Sequence, residues 1–501
     1  MTHFLSKKNA DCNIAALAGF VIILLFTYHS GVGISPDAVV YSSVAENILQ
    51  HGYLKDFNQT PVTDFPLFYP AMLSAIGFLT HTKVLAFAPF FNAFLFAVVI
   101  YLSGQITERF AAFSKWTKRL VLSCIVLSPC LLEVYPMLWS ETIFILLLLL
   151  FIIALHRYFQ THNYGMLLGA ASIAALAAVT RYAGITLIAT GGLLLLLDKQ
   201  LLIRKKIFQL FSFLVISLSL FIVNLARNYY VNGTLMGHRE KAIRSLTANM
   251  HDAGTVFCDW MPFFNGHYSV AFMVLLVIIA AFVLLWLWQR FKTGQESSCS
   301  HIATSFFLVY LLFMIASAST SRFEELNSRL LSPLFIPFIW IGGSVITAFI
   351  QKTKAVLLKR ILITIAAIVF IAFQYQQIAF DLETWDGVKD AGVPGYTEDE
   401  WKYSTTVQYV ENSPFLFQNG NTIYSNAYDA IYFFTGKHTM PLPHKDFTNE
   451  IASFIHNPRC YVIWFNNGEN PDLVDLRFIT GVKKMNLFKQ FSDGAIYVLN
   501  E

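Results

Sequence analysis

Residues 33–54 read GISPDAVVYSSVAENILQHGYL and follow an apolar run from Asn13 to Tyr28. The stretch sets the central question, because an acid, Asp37, stands where the chain has just left a hydrophobic segment. Ser35 suits an N-cap and Pro36 a first helical position. The spacing therefore predicts a helix with Asp37 in its first turn, where the helix dipole favours an ionised carboxylate. Tyr41, four residues on, shares that helical face, whereas Glu46, nine residues on, points roughly the opposite way. Two readings of Asp37 remain open at this point. It is a capping acid, or it is a rigidly held general base for an acceptor hydroxyl or amine.

The rest of the chain places this stretch at a membrane. Of 501 residues, 56% are hydrophobic and 13% charged, with mean hydropathy +0.55; globular domains carry about 25% charge. Runs of about 20 apolar residues, the length that spans a bilayer, are read at 13–33, 84–104, 119–138, 141–157, 164–180, 183–198, 207–226, 268–289, 303–320, 329–350 and 360–380. The expected fold is thus a polytopic α-helical membrane protein with about eleven transmembrane helices. Lys7 and Lys8 precede the first run without a small-residue cleavage site, so it reads as a retained signal anchor. With the N-terminus inside, every inside connection is basic, from Arg109, Lys115 and Lys118 to Lys199, Arg204, Lys292 and Lys352. That orientation puts the C-terminus outside.

The segment 66–80 is apolar but short. As a separate span it would invert all later loops, so it reads either as an interfacial or re-entrant piece closing the first outer loop, 34–83, or as one long tilted helix with the next run. The predicted membrane domain covers 1–380 and includes a long outer loop, 227–267. Beyond it, 381–501 reads as an outer α/β domain, with β-like runs NTIYSN, CYVIWF and GAIYVLN and helical patterning around 398–411 and 446–456. A net charge of +4 gives no sign of a nucleic-acid partner. The six cysteines show no CxxC spacing and read as small buried hydrophobes.

Arginine is unexpectedly frequent on the outer face: Arg181, Arg227, Arg239, Arg244, Arg322 and Arg329. Guanidinium groups bind phosphate bidentately, so the set points to an anionic lipid-linked ligand, against the alternative that each snorkels to lipid headgroups. Among the acids, Asp64 is a second acceptor contact or a cap of the following segment, and Glu141 a cap after Ser140 or a site residue. His238, His251 and His267 in the long loop lack metal-ligand spacing, so a divalent metal has no supporting motif.

In order along the chain, SPDAVVYSSVAENILQHG, DFPLFYPAML, LWSETIFILLLL, TRYAGITLI, ARNYYVNG, NSRLLSPLFIP and YSNAYDAIYFFTG resemble the GT-C superfamily of membrane glycosyltransferases. The similarity is closest to the group of protein O-mannosyltransferases and the lipid A aminoarabinose transferase. The resemblance implies a sugar donor on polyprenyl phosphate or diphosphate, an acceptor (lipid, glycan or protein) bound from the outer side, inversion at the sugar, and a bacterial inner-membrane location. It implies that Asp37 is the base or orients the acceptor, that Tyr41 is the aromatic one turn on, and that Arg329 contacts phosphate. Tyr41, Asp64, Glu141, Arg181, Arg227, Arg239 and Arg329 form the expected substrate-binding set. Two departures stand out: Ala38 follows Asp37 where relatives carry paired acids, and Asp64-Phe65 stands where some relatives have a lysine. The competing function is a transporter or flippase of lipid-linked sugars. Span centres almost free of ionisable residues, with charge gathered at one face, favour a one-sided site over alternating access.

Overall fold

Ser35 caps the helix that follows it through Ala38 N (3.4 Å), and Pro36 opens that helix, as the local sequence dictates. In the computed structural model, residues 9–110, 113–237, 239–261, 263–264, 266–292, 298–322, 324–418, 422–468 and 470–500 are described; Lys7, Lys8 and His238 lie outside them. The helices begin with α1 (Ala10–Phe26), α2 (Pro36–His51), α3 (Phe68–Thr80), α4 (Val84–Thr107), α5 (Lys115–Val126) and α6 (Pro129–Val134). Next come α7 (Glu141–Thr161), α8 (Tyr164–Thr180), α9 (Ile185–Leu197), α10 (Ile203–Asn232) and α11 (Leu246–Trp260). The chain continues through α12 (Ala271–Phe291), α13 (Cys299–Thr320), the one-turn α14 (Ser328–Leu331), α15 (Phe335–Lys352) and α16 (Val356–Ala391). Among the described residues seven helices are long and apolar enough to cross a membrane, and Ala10–Phe26, Phe68–Thr80, Tyr164–Thr180 and Tyr182–Leu197 are shorter apolar helices. The chain is an integral membrane protein. All six cysteines are buried and free, as expected of small hydrophobes.

Two expectations are corrected. The run 119–138 is not one span: α5 stops at Val126, Ser128 caps α6 through Leu131 N (3.3 Å), and Pro129 opens α6. Residues 135–140 then leave the helix altogether. Non-helical backbone among spanning helices needs internal partners. Asn92, buried in α4, donates from Nδ2 to Tyr135 O (2.9 Å) and Met137 O (2.8 Å). Gly33 N donates to Pro136 O (3.0 Å) and Leu138 N to Gly33 O (3.1 Å), which sets the start of α2 beside the start of α7. Of the two readings of 66–80, the single long helix is the one corrected. α3 closes at His81 in the left-handed conformation (φ 54°), so α3 and α4 are separate helices, and α3 lies against α2.

α16 runs unbroken past residue 381 to Ala391. The chain then forms α17 (Asp399–Lys402) and α18 (Thr405–Glu411), followed by β1 (Thr422–Ser425), α19 (Tyr428–Thr435), β2 (Met440–Pro441) and α20 (Thr448–His456). It ends with β3 (Arg459–Phe465), α21 (Leu476–Val482), β4 (Lys484–Gln490) and β5 (Gly494–Asn500). The five strands make one mixed sheet in the order β2-β1-β3-β5-β4, in which β1 is parallel to β2 and β3, and β5 is antiparallel to β3 and β4. The three β-like runs of the sequence are β1, β3 and β5. The sequence reading omitted β2 and β4: β2 has two residues, and β4, KMNLFKQ, is an exposed edge strand whose alternation breaks after Leu487, where its pairing with β5 shifts register.

The segment between α16 and α17 grips the turn before α2. Val393 N donates to Ser30 Oγ (2.8 Å), Tyr396 N to Ile34 O (2.8 Å), and Thr397 Oγ1 to Val32 O (3.0 Å). Gly395 makes this fit, since its φ is +108° and a Cβ there would collide with the Ile34 carbonyl. Gly395→Val is expected to cost about 1–3 kcal/mol through backbone strain and the lost grip, read as a lowered thermal midpoint of the detergent-solubilised protein.

Candidate functional site

The bridge at Gly33 places three chain segments around one guanidinium. Asp37 is in the first turn of α2, and Glu141, fully buried, is the first residue of α7. Both carboxylates sit where the helix dipole favours negative charge. Asn327 caps α14 through Leu330 N (3.0 Å) and so fixes Arg329 within that single turn. Arg329 donates from Nη2 to Asp37 Oδ2 (2.6 Å) and from Nε to Glu141 Oε1 (2.8 Å), while Nη1 lies 3.7 Å from Glu324 Oε2. Its planar face stacks 4.2 Å from the ring centre of Trp139, and the Trp139 indole N–H donates to Ser35 Oγ (2.8 Å). The cap of α2 and the arginine are thereby tied together. Asp37 Oδ1 has no hydrogen-bond partner among the described residues.

Arg181 forms the sharp reversal between α8 and the turn into α9. It donates to Glu141 Oε1 and to Ser140 Oγ, the latter at 3.3 Å. Glu141 thus neutralises two arginines at once from a fully buried position, with Oε2 unpartnered among the described residues. The Tyr41 hydroxyl reaches Ser140 Oγ at 3.5 Å.

These groups face a cavity of about 390 Å3, lined by Asp37, Tyr41, Asp64, Arg181, Arg239 and Arg329 together with Ser140, Tyr182, Arg322 and Glu324. Asp37 and five residues of the expected substrate-binding set therefore meet in one space. Glu141 lies behind its wall. Arg227 does not line it: its guanidinium donates to Val62 O and, at 3.1 Å, to Leu54 O, strapping the 34–83 loop to α10. Arg322 and Glu324, outside the expected set, were signalled by the density of charge in TSRFEELNSR. The YSNAYDAIYFFTG segment, which holds the end of β1 and all of α19, stays outside the cavity. Its Tyr432 stacks on Phe57 (4.7 Å), so it braces the 34–83 loop.

Charge within the cavity is unevenly committed. Arg181 is held by Glu141, and Arg322 by Glu240, Asp446 (2.8 Å) and Asp472, which ties the cavity rim to the sheet domain. Arg239 donates from Nε to Met236 O (3.1 Å), lies 5.9 Å from the Tyr182 ring, and has no carboxylate partner among the described residues. Glu324 faces the cavity with 46% of its side chain exposed; desolvation by the surrounding walls lifts its carboxyl above the usual range, and Arg329 opposes the shift. Among the described residues no group of three His, Cys, Asp or Glu side chains is placed to hold a metal ion, and His251 instead bonds Tyr268 O (3.0 Å).

The helical membrane body and the small sheet domain together have the GT-C fold. The chain is similar to ArnT from Cupriavidus metallidurans bound to undecaprenyl phosphate, with 11% identity, TM-score 0.57, and 97% of this chain and 96% of that one covered. It is also similar to the Archaeoglobus fulgidus oligosaccharyltransferase tethered to an acceptor peptide, with 13% identity, TM-score 0.56, and 93% of this chain and 70% of that one covered. The archaeal oligosaccharyltransferase AglB from the same organism, in complex with an inhibitory peptide and a dolichol-phosphate, gives 11% identity, TM-score 0.54, and coverage of 92% and 70%. At such identities the likeness is one of fold. No family model and no curated protein sequence matches.

Proposed function

We propose that the protein is a glycosyltransferase that moves a sugar from a polyprenyl-phosphate carrier to an acceptor lipid, glycan or protein at the outer face of the membrane, with inversion. The observation that carries this reading is a single cavity where a carboxylate with an open oxygen, Asp37, stands beside two guanidinium groups, Arg239 and Arg329. The solved neighbours bound to undecaprenyl phosphate and dolichol-phosphate support the donor class. In the transfer, Asp37 accepts the proton of the acceptor O–H or N–H as that atom bonds to the anomeric carbon. The bond from the anomeric carbon to the phosphate oxygen breaks, and its electron pair leaves with the polyprenyl phosphate. The arginines stabilise the growing charge on the departing oxygen. Tyr41 and Ser140 line the wall beside the base, and Asp64 lines the cavity near Tyr182 and Arg239. Basic inside loops, a C-terminus outside and a bacterial inner membrane complete the reading.

The direct test is transfer by purified protein from a radiolabelled polyprenyl-phosphate sugar; release of label to no acceptor, with uptake into proteoliposomes instead, would favour a transporter. Arg239→Gln should raise the KM for donor about 10- to 100-fold, the worth of a hydrogen bond to a charged group, with the thermal midpoint unchanged because Arg239 holds no ion pair among the described residues.

A further inference from the structure

Arg329 carries more anions than one guanidinium neutralises. Nε binds Glu141 at 2.8 Å, Nη2 binds Asp37 at 2.6 Å, and Nη1 faces Glu324 at 3.7 Å. Glu141 is fully buried and Trp139 covers one face, so this side of the guanidinium is fixed. The two Nη groups lie against Asp37 and Glu324, and these carboxylates are cavity walls, with 30% and 46% of their side chains exposed. Bidentate binding of a phosphate uses two parallel N–H groups of this kind. Both positions are already taken by negative charge.

The two covering carboxylates differ in how they are held. Asp37 is part of a capped helix turn, whose position is set by Ser35 and the Gly33 bridge. Glu324 lies on the non-helical segment before α14, and among the described residues its one hydrogen bond comes from Asn327 Nδ2 (3.1 Å). Its contact with Arg329 is the longest of the three and the easiest to exchange.

We infer that Glu324 is a resident anion competing with the ligand phosphate for Arg329, so that it neutralises the arginine in the empty cavity and weakens retention of the polyprenyl phosphate left after transfer. This rests on the glycosyltransferase reading and adds to it a residue that sets affinity for the phosphate monoester and speeds its release. Displacing Glu324 leaves Arg329 anchored by Glu141 and Trp139, so exchange at Nη1 needs no movement of the helices.

The test is equilibrium binding of undecaprenyl phosphate, and separately of inorganic phosphate, to the full-length protein in detergent, comparing wild type with Glu324→Gln. Glu325→Gln is the control, since Glu325 pairs with Arg244 away from the cavity. The amide keeps the shape and removes the charge, so Glu324→Gln is expected to tighten undecaprenyl phosphate on the order of tenfold, the scale of losing one like charge at contact range, while Glu325→Gln leaves it unchanged. Tightening confined to the prenyl form supports the proposal and assigns the lipid headgroup. Tightening of both ligands supports it and assigns the phosphate group itself. Equal or weaker binding by a Glu324→Gln protein of normal thermal midpoint overturns it and leaves the glycosyltransferase reading standing, whereas a wild type that binds no undecaprenyl phosphate removes that reading first.

Discussion

Asp37→Asn is expected to lower the rate of transfer by about 10²- to 10⁴-fold, the range in which a positioned general base contributes, with little change in stability. Asparagine is nearly isosteric and its carbonyl oxygen still accepts from Arg329 Nη2, so the contact that ties α2 to α14 survives in neutral form. The Ser35 cap and the Gly33 bridge do not involve the Asp37 side chain. What disappears is the proton acceptor at Oδ1. Removing a negative charge beside Arg329 should also leave binding of polyprenyl phosphate intact or stronger, which separates loss of chemistry from loss of donor. Full transfer by a folded Asp37→Asn protein would strip the residue of its role as base.

Glu141→Ala should be the most damaging change to the fold around the cavity, costing about 3–5 kcal/mol as a buried ion pair loses one partner. Glu141 is fully buried and is the shared counter-ion of Arg181 and Arg329. Without it two guanidinium groups, with 13% and 12% of their side chains exposed, share a poorly solvated wall. The variant is expected to show a depressed thermal midpoint and negligible transfer. Adding Arg181→Met removes one of the uncompensated charges and should recover part of the midpoint without recovering transfer, because Arg329 remains misplaced. Wild-type stability in Glu141→Ala would show that the buried triad contributes nothing to the fold.

Much of the local structure was legible because it depends on near neighbours. Ser35-Pro36-Asp37 spelled out a capped helix start, and β1, β3 and β5 followed from short apolar β-branched runs. The break at 127–140 was missed because hydropathy counts apolar side chains and is blind to where the backbone finds partners. Those partners, Asn92 and Gly33, lie 43 or more residues from the carbonyls and amides they bond and are unremarkable in sequence. The site divides in the same way. Charge type and side of the chain drew attention to Asp37 and the arginines, but pairing is a property of three-dimensional neighbours. Arg227 and Arg239 look alike in sequence, yet one holds carbonyls of the 34–83 loop and the other faces the cavity. Glu141 opens α7 although Ser140 gives that helix no side-chain cap, and it pairs with Arg181 and Arg329 from behind the wall, which its position in the sequence does not reveal.

The 36 residues of α16 amount to about 54 Å at 1.5 Å per residue, well beyond a hydrocarbon core of about 30 Å. The helix therefore acts as a ruler as well as a span, fixing the height and compass bearing at which residues 393–397 meet residues 30–34. One inserted residue would turn everything beyond it by about 100°, carrying Val393 N and Tyr396 N away from Ser30 Oγ and Ile34 O. The sheet domain is thus indexed to the shelf that carries Asp37, and the length of this helix is as constrained as the identity of any residue in the cavity.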